Sequence, residues 1–113
     1  RELVQYELYP QGVAAYERAL KLQPDFPEVY YDLSLCYFRN QQFDESLRTI
    51  ERITDVRRHD GGYFTLWGLN YRELGNLKEA VHYLRRALRT QAEVLGPDHP
   101  DTRATDAALR RAK

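Results

Sequence analysis

Two histidine-aspartate neighbours, His59-Asp60 and Asp98-His99, hold the most chemical promise in this chain. Each sets an imidazole beside a carboxylate that could orient it, an arrangement that serves both acid-base catalysis and metal ligation. No third ligand follows either pair at metal spacing, and Cys36 is the one thiol in the chain. Both pairs stand in polar connectors where an aspartate commonly caps the next helix, so capping is the expectation for Asp60 and Asp98. His82 directly follows Val81 and is expected on the solvent side of its helix. Gly61-Gly62 lacks the Lys-Ser/Thr sequel of a phosphate loop. No catalytic, cofactor or metal site is therefore expected, and the chain reads as a protein that is not an enzyme.

Charge narrows the partners. The 113 residues include 17 basic and 17 acidic side chains, and the net charge of zero argues against a whole-domain binder of nucleic acid or anionic membrane. Up to Asp60 there are 8 basic and 11 acidic residues, and beyond it 9 and 6, so the C-terminal half is mildly basic. Arg85, Arg86 and Arg89, with Arg103, Arg110, Arg111 and Lys113, could meet phosphates or an acidic protein. Runs of this kind are more often solvated faces. A single cysteine cannot make an internal disulfide, which points to a reducing compartment and a cytoplasmic protein. No apolar run approaches the roughly 18 residues of a membrane helix. Arg1-Glu2 does not open a signal peptide, and the absence of methionine leads to the expectation of a fragment of something longer.

The elements that would position these residues are helices. Tyr9, Val13, Tyr16, Ala19 and Leu20 follow a 3.6-residue period and predict a helix from Tyr9 to Leu22, with Pro10 in its first turn. Pro24 ends it, and Asp25 is placed to cap a second helix from Pro27 to Arg39. Asn40-Gln41-Gln42 is a polar turn, followed by a predicted helix from Phe43 to Val56 and a charged connector from Arg57 to Gly62. Further helices are expected over Gly61 to Glu73, Leu77 to Leu95 and Asp101 to Lys113. Asn76 and Glu79 resemble a capping box, Gly96-Pro97 is a stop, and Ala104, Ala108 and Ala112 form a small-residue stripe.

The pattern repeats. Displacing the sequence by about 34 residues aligns Tyr30 with Phe64, Leu33 with Trp67, Ser34 with Gly68 and Tyr37 with Tyr71. In the helices that follow, Tyr9, Phe43 and Leu77 come into register, then Gly12, Ser46 and Ala80, then Tyr16, Ile50 and Leu84, then Ala19, Ile53 and Ala87. Small residues recur where paired helices must approach to about 8–10 Å, and large ones where the gap must be filled. Gly68 and Gly12 are the sharpest examples, because glycine inside a helix costs about 1 kcal/mol against alanine.

On these residues the chain resembles the tetratricopeptide repeat family. Tyr30, Leu33, Ser34, Tyr37, Ser46, Ile50 and Ile53 fit one repeat; Phe64, Trp67, Gly68, Tyr71, Ala80, Leu84 and Ala87 fit the next. Gly12, Tyr16, Ala19 and Pro24 fit the end of an earlier one. Arg58 stands where the family usually has proline, and Leu95-Gly96-Pro97-Asp98-His99-Pro100 resembles the connector of the longer repeats of kinesin light chains. The resemblance implies an all-α fold, a right-handed superhelical stack of antiparallel helix hairpins. It implies one domain over 1–113: a partial repeat 1–26, a repeat 27–60, an extended repeat 61–100, and the start of a further repeat or a capping helix over 101–113. Cys36 then matches a small buried position and is expected to be an inert core thiol.

The same resemblance implies a protein-interaction scaffold that takes a partner peptide or helix in a concave groove lined by first helices. Carried over by position, the lining residues are Tyr31, Leu35, Phe38 and Arg39, then Thr65, Leu69, Arg72 and Glu73. That groove is apolar with an arginine edge. Leu35 and Leu69 occupy the positions where carboxylate-clamping members carry asparagine, so that clamp is not expected. Self-association through solenoid ends, or service as a regulatory segment of a larger enzyme or signalling protein, is the alternative expectation.

Overall fold

The computed structural model describes residues 2–24 and 26–112, with side chains from Pro10 onward. The expected cap at Asp25, the place of Tyr9 in the first stripe and that of Lys113 in the basic cluster lie outside the described residues. The described residues form six α-helices: α1 (Glu2–Leu22), α2 (Pro27–Arg39), α3 (Phe43–Ile50), α4 (Gly61–Glu73), α5 (Leu77–Val94) and α6 (Pro100–Ala112). No strand occurs among the described residues. The helices gather into two compact units, Arg1–Thr54 and Asp55–Lys113.

In the first unit α2 packs against both α1 and α3. Proline at its start pre-sets the backbone dihedral, and Tyr30, Leu33 and Ser34 recur on one buried side. That side closes on α3 through a crossed pair of hydroxyls. Ser34 Oγ donates to the Ser46 carbonyl at 2.8 Å, and Ser46 Oγ donates to the Ser34 carbonyl at 2.7 Å. Both serines are wholly buried, so satisfying each hydroxyl on the partner backbone removes the penalty for hiding it. On another side of α2, a Cβ added to Gly12 of α1 would meet Cys36 Sγ at 3.3 Å, a close approach between those helices. Tyr30 donates to the Pro24 carbonyl at 2.7 Å and so fastens the α1–α2 connector, while the Arg52 guanidinium lies over its ring at 4.6 Å.

The second unit repeats the hairpin with other side chains. Asp60 accepts from the Tyr63 amide at 3.0 Å and caps α4, as its position in the connector led us to expect. Leu84 and Ala80 of α5 are wholly buried, and a Cβ on Gly68 would stand 2.8 Å from Leu84 Cγ and 3.1 Å from the Leu84 backbone nitrogen. Glycine is required there because only a helix lacking Cβ comes so near its partner. α6 packs on α5 and shares a cluster of Leu84, Ala108, Leu109 and Ala112.

Four boundaries and contacts differ from the sequence expectation. α1 begins at Glu2, which puts Pro10 inside the helix instead of its first turn. α3 ends at Ile50, not Val56. Its last amides turn to tighter partners, Arg52 to Thr49 and Ile53 to Ile50, and Asp55 instead caps a short 3-10 turn over Val56–Arg58 by accepting from the Arg57 amide at 3.1 Å. Asn76 accepts from the Glu79 amide at 3.3 Å, but its own amide is taken by the Tyr71 carbonyl, so only half of the expected capping box forms. Ala104 is exposed, and the buried side of α6 is Thr102, Thr105, Ala108, Leu109 and Ala112.

Candidate partner-binding surface

Each side of α2 has its own task. Ser34, beside the buried Tyr30 and Leu33, serves the α3 seam, and Cys36 meets α1. Tyr31, Leu35 and Phe38, at i, i+4 and i+7, share a third side, and all three are half-buried. Phe38 rests edge-on against Phe43 with ring centroids 5.4 Å apart, and the exposed Arg39 ends the helix. Tyr31 is also held by a neighbour. This side combines apolar area, restrained aromatic rings and a terminal cation.

Nothing on α2 makes a reactive centre. Burial pushes the Cys36 thiol up, with Arg39 pulling weakly the other way, so the thiol stays protonated near neutral pH and is a poor nucleophile. Burial, and then the charge of Glu28, raises Asp32. Tyr37 is pushed up to about 12, first by burial and then by its hydrogen bond to the Glu17 carboxylate, and remains a donor at physiological pH.

The corresponding side of α4 is partly taken by α6. Thr65 Oγ1 donates to the Gly61 carbonyl at 2.8 Å, which leaves the Thr105 hydroxyl to donate to it at 3.1 Å. Leu69 packs against the Leu84, Ala108, Leu109 and Ala112 cluster. Thr65 and Leu69 are consequently only partly accessible. Arg72 and Glu73 lie at the end of the helix, joined at 3.3 Å, with the Arg72 side chain 23% exposed. One Arg72 guanidinium nitrogen, Nη1, is buried and makes no hydrogen bond.

The histidines divide. His59 stacks on Tyr63 with centroids 3.9 Å apart, and exposed His82 meets Tyr83 edge-on. At the start of α6 the cap expected of Asp98 is supplied by its neighbour, since His99 Nδ1 accepts from the Asp101 amide at 3.1 Å. The tautomer with bare Nδ1 is the one that can accept there. Among the described residues no group of three or more His, Cys, Asp or Glu is placed to hold a metal ion, and no helix is long and apolar enough to cross a membrane.

Sequence reasoning missed the aromatic stack around Tyr83, whose ring lies 5.2 Å from Trp67 and 5.7 Å from Tyr71. It also missed the Arg52–Tyr30 contact and its counterpart, Arg86 over Phe64 at 4.4 Å. The signal was present, because Arg52 and Arg86, like Tyr30 and Phe64, recur at the repeat spacing of about 34 residues.

Antiparallel hairpins recurring at one period, each closed by small residues on facing helices, define a helical-repeat protein. The chain belongs to the tetratricopeptide repeat family: two family profiles of that description match it, over residues 3–66 and 68–101. Such repeats generally mediate protein–protein interaction. In an alignment of 92 positions that covers 74% of its length, the chain is 28% identical to a clustered mitochondria protein homolog of Coccidioides immitis (strain RS), of which it spans 7%.

Proposed function

We propose that this chain is a non-catalytic interaction scaffold that presents the outward sides of its first helices to a peptide or helix of a partner protein. The carrying observation is the half-buried side of α2 formed by Tyr31, Leu35 and Phe38 next to the Ser34–Ser46 seam, with Phe38 against Phe43 and the exposed Arg39 at their end. Aromatic and arginine side chains are the usual anchors of such complexes, the aromatics because they bury much area at small entropic cost and arginine because its planar fork donates several hydrogen bonds. On α4 the proposed contacts are Arg72 and Glu73 first, with Thr65 and Leu69 contributing the surface that α6 leaves accessible. A lone, protonated Cys36 suits a reducing cytoplasm.

The test uses Tyr31, Phe38 and Arg72. A partner captured from native extract and then purified should bind the triple alanine variant at least about tenfold more weakly than the parent chain. Unchanged affinity would remove the reading.

A second reading, a segment serving a larger protein, is favoured by the relative of which this chain spans 7%. By the name of that relative, the larger protein would act on mitochondrial distribution. Deleting this segment from a full-length parent should then disturb that distribution, and a normal distribution would exclude this role.

A further inference from the structure

One side of α5 carries cations that the described chain does not neutralise. Lys78, His82, Arg85 and Arg89 are all exposed, and spacings of four, three and four residues place them in a single row along the helix. None of the ion pairs among the described residues engages Lys78, Arg85 or Arg89. Arg86 is already committed to the face of Phe64 and stands outside the row. Like charges four residues apart, as Arg85 and Arg89 are, repel, so the row weakens the isolated helix unless something opposes it.

Beside this row runs an open groove of about 910 Å³ that reaches the end of α6. Its floor is apolar, formed by Leu77, Val81 and Ala112, with Leu77 51% exposed. Cations along an apolar floor match a ligand that alternates carboxylates with apolar side chains. A nucleic acid would use aromatic rings on which to stack its bases, and no ring other than the His82 imidazole lines the groove.

We propose that the α5–α6 groove is a second docking site, for an acidic amphipathic segment of a partner protein. The apolar side chains of that segment would lie on Leu77, Val81 and Ala112, and its carboxylates would pair with Lys78, Arg85 and Arg89, where arginine forks donate to carboxylate in bidentate geometry. This site is separate from the α2 side and uses attraction of opposite charge where that side uses aromatic burial. Complementary charge also speeds encounter and makes it sensitive to salt.

The experiment follows the fluorescence anisotropy of a synthetic helical peptide of Glu and Leu at amphipathic spacing, titrated with the 113-residue chain. R85E/R89E should weaken binding at least about tenfold while leaving the circular dichroism spectrum unchanged, since both residues are exposed. A peptide with Gln in place of Glu should lose a similar factor, and Leu77→Ser a smaller one of about threefold. Tyr31→Ala/Phe38→Ala should retain full affinity, which separates this site from the α2 side. Binding indifferent to R85E/R89E, or to Glu against Gln, overturns the proposal. So does tighter binding of single-stranded RNA or phosphatidylserine vesicles at the same salt with no effect of Leu77→Ser, which would make the row a patch for polyanions.

Discussion

The α2–α3 and α4–α5 hairpins solve one geometric problem with different chemistry. At the position where the first helix crosses the second, α2 and α3 bring together Ser34 and Ser46, whereas α4 and α5 bring Gly68 against Leu84, with Ala80 of α5 also wholly buried. The serine seam gains directional bonds to the partner backbone but must satisfy two buried hydroxyls. The glycine seam has no polar group to satisfy and depends wholly on shape, with Leu84 filling the space a Cβ would occupy. Close approach is thus the shared requirement, and the residue type decides whether hydrogen bonding or dispersion enforces it. Around each seam the fastening recurs, with Arg52 over Tyr30 in one hairpin and Arg86 over Phe64 in the other.

The turns show the same contrast. Gly75 joins α4 to α5 at φ 83°, and Gln41 joins α2 to α3 at φ 63°. The left-handed backbone is costless for the first and strained for the second. Helix length differs too, since α5 has 18 residues and α3 has 8. The longer helix carries the basic row, and the shorter one ends before a comparable row could form.

The largest break in this comparison should come at Gly68. Gly68→Leu should cost about 3 kcal/mol in urea unfolding, because the Leu84 backbone as well as its side chain blocks the new Cβ and no rotamer change relieves both. A midpoint within error of the parent would mean that the glycine seam is looser than its distances indicate. Ser34→Ala should cost less, about 1 kcal/mol. Ser46 keeps its bond to the Ser34 carbonyl, while the Ser34 hydroxyl's bond to the Ser46 carbonyl and its 2.9 Å contact with the Ser46 hydroxyl are lost. A loss as large as that of Gly68→Leu would show the two seams to be equally intolerant. The turn exchange should have no larger an effect. Gly75→Gln, whose added Cβ meets nothing within 4 Å, should destabilise by about 1 kcal/mol through backbone strain alone, and Gln41→Gly should stabilise by about 0.5 kcal/mol. Matching thermal melts for parent and variants would show that the left-handed positions carry no strain difference.

Much of this architecture was legible in the residues themselves. The 3.6-residue period located all six helices, because a stripe that must be buried recurs whatever it is buried against. The repeat spacing identified the seams, since only small residues satisfy a helix crossing. Asp60 as a cap and Gly68 as a close approach followed from local rules that need no knowledge of distant residues. Of the candidate surface, the row Tyr31, Leu35 and Phe38 was readable as a shared side of one helix.

What the sequence left open depended on competition between partners. Whether Asp55 would extend α3 or cap a 3-10 turn, and whether Asp98 or His99 would cap α6, turned on which acceptor reached an unpaired amide first. The coverage of Thr65 and Leu69 by α6 required a contact between residues 40 apart in the chain, Thr65 and Thr105, which no periodicity encodes. The groove beside the basic row likewise exists only because the end of α6 comes to lie next to α5. Short-range chemistry determined which helices form and which sides they bury. Tertiary packing alone decided which of the remaining sides stay open, because exposure belongs to the neighbours of a residue and not to the residue.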